Sequence, residues 1–126
     1  MNRKEFREEM MKIIYAYIMN PEQDFSAYDE NILNTFKDFL VFVEDIDHMI
    51  EKHLVNWSLQ RLNYVDLAII RYAVYELVYL EQAKEIVMNE ALELTKKYSN
   101  LDDDLARKFN NRLLQNIVDG LSDQDA

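Results

Sequence analysis

The chain of 126 residues has no cysteine, one glycine and one proline. Each shortage excludes something. Without cysteine there are no disulfides, no thiolate zinc sites and no cysteine nucleophile. A single glycine rules against Gly-rich phosphate loops and dinucleotide-binding turns. Hairpins and sheets need more turn residues than this chain supplies, so an all-α fold is expected. Long hydrophobic runs are missing as well. The N-terminal stretch MNRKEFREEMMK is charged where a signal peptide would be apolar, and no later run reaches membrane length. Positive charge is scarce, with 14 Lys and Arg against 24 Asp and Glu and a net charge of −10. That balance counts against a general nucleic-acid binder. It leaves room for a small basic patch, because a phosphate meets local charge rather than the total. The expectation is one soluble, intracellular domain, in keeping with a reducing cytosol.

Apolar residues make up 49% of the chain, enough for a single core at this length. Their spacing predicts helices. Phe6, Met10, Ile13, Ile14, Tyr17 and Ile18 share one face of a first helix over residues 3–19, which Asn20-Pro21 ends. A second helical region covers residues 30–54, as one helix or as two with a break near Asn34 or Thr35. A short helical turn over 57–62 inserts Trp57 and either Leu59 or Leu62 into the core. Asn63 caps the next helix, which runs to about Leu80 and is apolar nearly all round, as a central helix would be. Arg71 interrupts it, with its stem laid over the core and its head at a carboxylate or a helix end. A further helix spans about 86–98. After a turn from Ser99 to Asp104, the last helix runs to about Asp119 with Gly120 as its C-cap. The domain is placed at residues 1–121, and 122–126 reads as a flexible acidic tail.

No catalytic constellation stands out. The chain has no G-x-S-x-G, no H-E-x-x-H and no Walker loop. His48 and His53 are five apart, off the spacing that puts two imidazoles on one metal. With so many acids, any pair of carboxylates is uninformative without a pocket. The expectation is a non-enzymatic protein with no cofactor and no metal.

Two words in the central stretch, read in order, carry a resemblance. Residues 69–77 read IIRYAVYEL and residues 87–98 read VMNEALELTKKY, after Trp57, Leu62 and Val65-Asp66. This stretch resembles the NusB family of bacterial transcription antitermination factors. Phe36-Lys37-Asp38-Phe39-Leu40 and the first helix resemble family segments upstream. The resemblance implies a helical bundle of about six to seven helices in two subdomains. It also implies binding of boxA-type RNA together with NusE, the ribosomal protein shared with the transcription machinery, on the transcription elongation complex in the cytoplasm during ribosomal RNA transcription. Carried over by position, the RNA-facing residues are Arg3, Lys4, Arg7, Tyr15, Lys108 and Phe109. The NusE-facing residues are Asp66, Tyr75 and Glu76.

Several of the carried-over residues also have a plainer reading. Arg3, Lys4 and Arg7 fit a solvated mixed-charge helix face. Phe109 shares a helical face with Leu105 and Leu113 and so fits burial. Glu76 fits a surface carboxylate or a partner for Arg71. The chain also departs from the family pattern. Glu5 and Glu9 dilute the basic first helix, and Arg112 stands where the family has a small glycine. Two alternatives follow: a helical adaptor that keeps the NusE interface with little RNA binding, and a detached domain related to the N-terminal part of ribosomal RNA methyltransferases. The second needs a catalytic domain for which 126 residues leave no room, and the start at Met1 argues against a fragment.

Overall fold

The structure, a computed structural model, describes residues 1–99 and 104–125, without the side chains of 123–125. Among the described residues it contains five α-helices and one short 3₁₀ turn. These are α1 (Arg3–Met19), α2 (Glu30–His53), the 3₁₀ turn (Leu59–Arg61), α3 (Tyr64–Val78), α4 (Lys84–Tyr98) and α5 (Leu105–Asp125). The expected six to seven helices therefore come down to five. Two differences account for this: α2 is continuous past Asn34 and Thr35, whose polar side chains do not interrupt the backbone ladder, and the helical turn expected over 57–62 is a three-residue 3₁₀ turn.

Helix starts follow side-chain chemistry. Asn2 Oδ1 accepts from the Glu5 amide at 2.8 Å, and Asp29 Oδ1 accepts from the Asn31 amide at 2.9 Å. Asn63 Oδ1 accepts from the Asp66 amide at 2.8 Å. Each bond satisfies an amide that the helix itself leaves unpaired.

Helix α3 is the axis of the bundle. It packs against α1, α2, α4 and α5, and every residue from Asp66 to Leu77 except Arg71 is buried. The all-round apolar pattern of its sequence is the cause: no face of it belongs in water. Arg71 lays its stem on the bundle and donates from Nε and Nη2 to the two oxygens of Asp47, at 2.8 and 2.9 Å. Helices α1 and α2 pack on each other and on α3, and α4 and α5 do the same.

Three other expectations change. Leu59 and Leu62 are both buried, but Trp57 is 42% exposed. Asn56 turns the chain with φ 56°, a left-handed conformation that asparagine tolerates, between the end of α2 and the 3₁₀ turn. Gly120 lies inside α5 rather than at its end. A Cβ there would stand 2.6 Å from His53 Nε2, so the glycine allows the end of α2 to approach α5. Ser122 belongs to the same helix, while Ala126 and most of the turn expected between Ser99 and Asp104 lie outside the described residues. Among the described residues, no helix is long and apolar enough to cross a membrane.

Candidate nucleic-acid and protein interfaces

The residues singled out in the sequence divide into an exposed set and a buried set. Arg3 and Lys4 are exposed in the first turn of α1, and the Arg3 guanidinium donates to the side-chain oxygen of Gln82. Lys108 and Phe109 are exposed near the start of α5. Tyr15 is half-buried and, with Asn63, Tyr64, Val65, Tyr98 and Ser99, walls a shallow cavity. It lies twelve residues along α1 from Arg3, about 18 Å by helical rise. The expected RNA-facing residues thus occupy both ends of α3. Arg3 and Lys4 lie by its C-terminal end, and Tyr15 lies by its N-terminal end.

Arg7 does not join the exposed set. It is 5% exposed, and its Nε donates to both carboxylate oxygens of Glu76, at 2.8 and 3.0 Å. Glu76 is 4% exposed, so neither residue presents a free charge on the surface. Burial pushes the Glu76 carboxyl upward, and the hydrogen bond from Arg7 works against that. Both residues line a cavity of about 380 Å³ together with Met1, Phe6, Tyr72 and Leu80. Met1 and Leu80 are exposed at this cavity, which gives it an apolar rim over a charged floor.

Asp66 and Tyr75 also turn inward. Asp66 accepts from Ser99 Oγ at 2.6 Å and from Asn110 Nδ2 at 2.9 Å. Asn110 Nδ2 also lies 3.1 Å from Thr95 Oγ1, and Thr95 Oγ1 donates to the Ala91 carbonyl at 2.8 Å. This buried hub ties the start of α3 to the end of α4 and to α5, directly beside Phe109. The carboxylate also sits in the first turn of α3, where the helix dipole favours negative charge. Tyr75 is buried, and its hydroxyl donates to Asp38 on α2. Burial and that acidic neighbour hold the phenol well above its ordinary range. In this geometry both side chains join helices within the chain.

Sequence reasoning missed Trp57 and Arg61 as surface features. The indole of Trp57 meets the Phe109 ring edge-to-face at 6.3 Å, and the Arg61 guanidinium lies 4.0 Å from the Trp57 ring centre. The signal was present in the local charge. Residues 52–61 and 104–116 carry five basic residues against the single acid Asp104, in a chain with a net charge of −10.

With this geometry in place, comparison with known proteins is decisive. The NusB family model matches residues 42–119. The chain belongs to the NusB family. A transcription antitermination protein NusB from Bacillus pumilus is 38% identical, covering 98% of this chain and all of that relative. A solved T. maritima NusB structure superposes with a TM-score of 0.76 at 25% identity, covering 94% of this chain and 92% of that one. A structure of antitermination factors NusB and NusE in complex with dsRNA superposes with a TM-score of 0.75 at 27% identity, covering 94% and 96%.

Proposed function

We propose that this NusB-family chain is a non-enzymatic transcription antitermination factor that acts in the cytoplasm, binding boxA-type RNA together with NusE on the elongation complex. The observation that carries this reading is the concentration of exposed basic and aromatic side chains at the start of α5, within a strongly acidic chain of this family. Lys108 neutralises a phosphate and Phe109 offers a ring for stacking. Tyr15 borders the contact at the N-terminal end of α3, and Arg3 and Lys4 extend it along α1 to the opposite end. Arg7 contributes indirectly, by holding Glu76. NusE docks over the cavity floored by Arg7 and Glu76, where exposed Met1 and Leu80 provide apolar contact.

Titration of fluorescently labelled boxA-type RNA, with and without NusE, tests this. Lys108→Glu is expected to weaken RNA binding while leaving NusE binding intact. An unchanged RNA affinity would remove α5 from the interface. A second reading, an adaptor that holds NusE but little RNA, is favoured by the withdrawal of Arg7 into the core and by Glu5 and Glu9 on the same helix. NusE binding without measurable RNA binding would select it.

A further inference from the structure

Beside Phe109 a cavity of about 350 Å³ opens between the end of α2 and α5. Its walls include His53, Asn56, Phe109, Arg112 and Asn116. Cavities that hold small ligands begin near roughly 300 Å³, so a planar base fits. The walls combine an aromatic ring with amide and guanidinium groups able to meet the edge of a base. Phe109, in the cavity wall, meets Trp57 edge-to-face, and Arg61 is already stacked on the indole. An exposed tryptophan with a guanidinium on its face, in a locally basic stretch of an acidic chain, matches the chemistry of single-strand binding: a cationic track with aromatic platforms.

The site is built rather than accidental. His53 is pinned, because its Nδ1–H donates to the Met49 carbonyl at 2.7 Å. Gly120 leaves room for the ring where any side chain would collide with it. Asn110, next to Phe109, is held by Asp66 and Thr95. Trp57 is held in turn by its contacts with Phe109 and Arg61. The charge balance favours a nucleic acid over a protein: Arg61, Lys108 and Arg112 are exposed here, while Arg107 is paired with Asp104 at 3.4 Å.

We infer that Trp57, Arg61 and the cavity beside Phe109 form a seat for an unpaired base of single-stranded RNA, extending the RNA contact from Lys108 and Phe109 across to the end of α2. This rests on the RNA-binding reading above. It adds a requirement for a single-stranded base at this point, because a base inside a duplex cannot leave its stack without cost.

Trp57 is the sole tryptophan in the chain, so its fluorescence reports on this seat alone. The probe is a single-stranded boxA-type RNA of about 12 nucleotides, within the span of typical single-strand sites, and the same strand annealed to its complement. Overall binding is followed by anisotropy of an end-labelled RNA, and the seat by Trp57 emission with unlabelled RNA. The single strand is expected to quench Trp57 with the midpoint seen by anisotropy, and the duplex is expected to leave Trp57 unchanged. Trp57→Leu should weaken single-strand binding about five- to a hundred-fold, the range found for one stacked base. Arg61→Gln and Arg112→Gln, at exposed positions that leave the core intact, should each weaken it several-fold. Anisotropic binding with no Trp57 response, or with full affinity in all three variants, overturns the seat and leaves the RNA-binding reading standing. Equal quenching by the duplex also overturns it. An absence of RNA binding in both measurements overturns the seat and the reading together. Loss of NusE binding in Arg61→Gln, with RNA binding intact, would assign the surface to protein instead.

Discussion

Replacing Glu76 with leucine isolates the energetics of the buried ion pair. Both side chains are nearly out of water, at 7% exposure for Arg7 and 5% for Glu76. Among the described residues Arg7 Nη2 has no hydrogen-bond partner, so Glu76 supplies the main compensation the guanidinium receives. Removing one member of such a pair strands a buried charge and costs about 3–5 kcal/mol. Domain stability is only about 5–15 kcal/mol in total, so Glu76→Leu should remove about a fifth of it or more. Arg7→Met alone should cost less, because a stranded carboxylate can take up a proton and burial already favours that form. The double variant Arg7→Met/Glu76→Leu buries no charge, and such replacements are often neutral or stabilising. The four proteins form a double-mutant cycle, measured by urea unfolding followed by far-UV circular dichroism, with constant m-values as the check on two-state behaviour. The expected signature is a large loss in Glu76→Leu that the second substitution recovers. A cost below about 1 kcal/mol in Glu76→Leu, the size of an exposed pair, would refute the reasoning. So would simple additivity. The outcome also governs how NusE binding is tested, because the double variant removes the Glu76 carboxylate with the least loss of stability.

Other perturbations probe single contacts. Glu8 is held below the usual carboxylate range by hydrogen bonds from Lys97 and Tyr98, so its contribution is present above its unfolded pKa and is lost as pH falls through that value toward the folded one. Glu8→Gln should flatten the acid limb of the stability profile, and an unchanged limb would show that the α1–α4 tie contributes nothing. Gly120→Ala should destabilise by about 1–3 kcal/mol through overpacking against the pinned His53, and His53→Ala should relieve it. Stabilisation of about 1 kcal/mol, the helix-propensity gain, would mean that the ring moves aside freely. Asp66→Ala should cost about 2–4 kcal/mol, because Ser99 and Asn110 lose their shared acceptor. A cost under about 1 kcal/mol would show that water replaces the carboxylate.

Local chemistry was legible in the sequence, and distant pairing was not. The bounds of α1, the Asn63 cap and the central place of α3 follow from spacing and capping rules that act within a few residues. The burial of Arg7 was hidden because it stands in sequence among Glu5, Glu8 and Glu9, which makes it look like part of a solvated face, while its partner Glu76 is far away in the chain. The inward partners of Glu76 and Asp66 were hidden for the same reason: an isolated carboxylate in an apolar helix gives no sign of which distant side chain it meets. Gly120 has the local look of a helix end, a lone glycine before a polar tail, and only the approach of His53 explains its position. Phe109 shares a helical face with Leu105 and Leu113, yet Leu105 is 63% exposed at the overhanging start of α5, and Phe109 remains on the surface with Trp57. The exposed aromatic pair was within reach of sequence reasoning through the two basic segments that flank it.

The central claim is that an acidic chain binds RNA through a small local patch and does so in partnership with NusE. The most direct test is the salt dependence of boxA-type RNA binding, measured by anisotropy with and without NusE. Single-strand binding loses about 0.7 in the logarithmic slope for each phosphate neutralised. The exposed cations assigned to the RNA contact, Arg3, Lys4, Arg61, Lys108 and Arg112, predict a shallow slope, between about −2 and −3.5 if three to five of them engage. Affinity is expected to be weak for the isolated chain and to rise when NusE is added. Tight binding by the isolated chain with a steep slope, or an RNA affinity indifferent to NusE, would contradict the account.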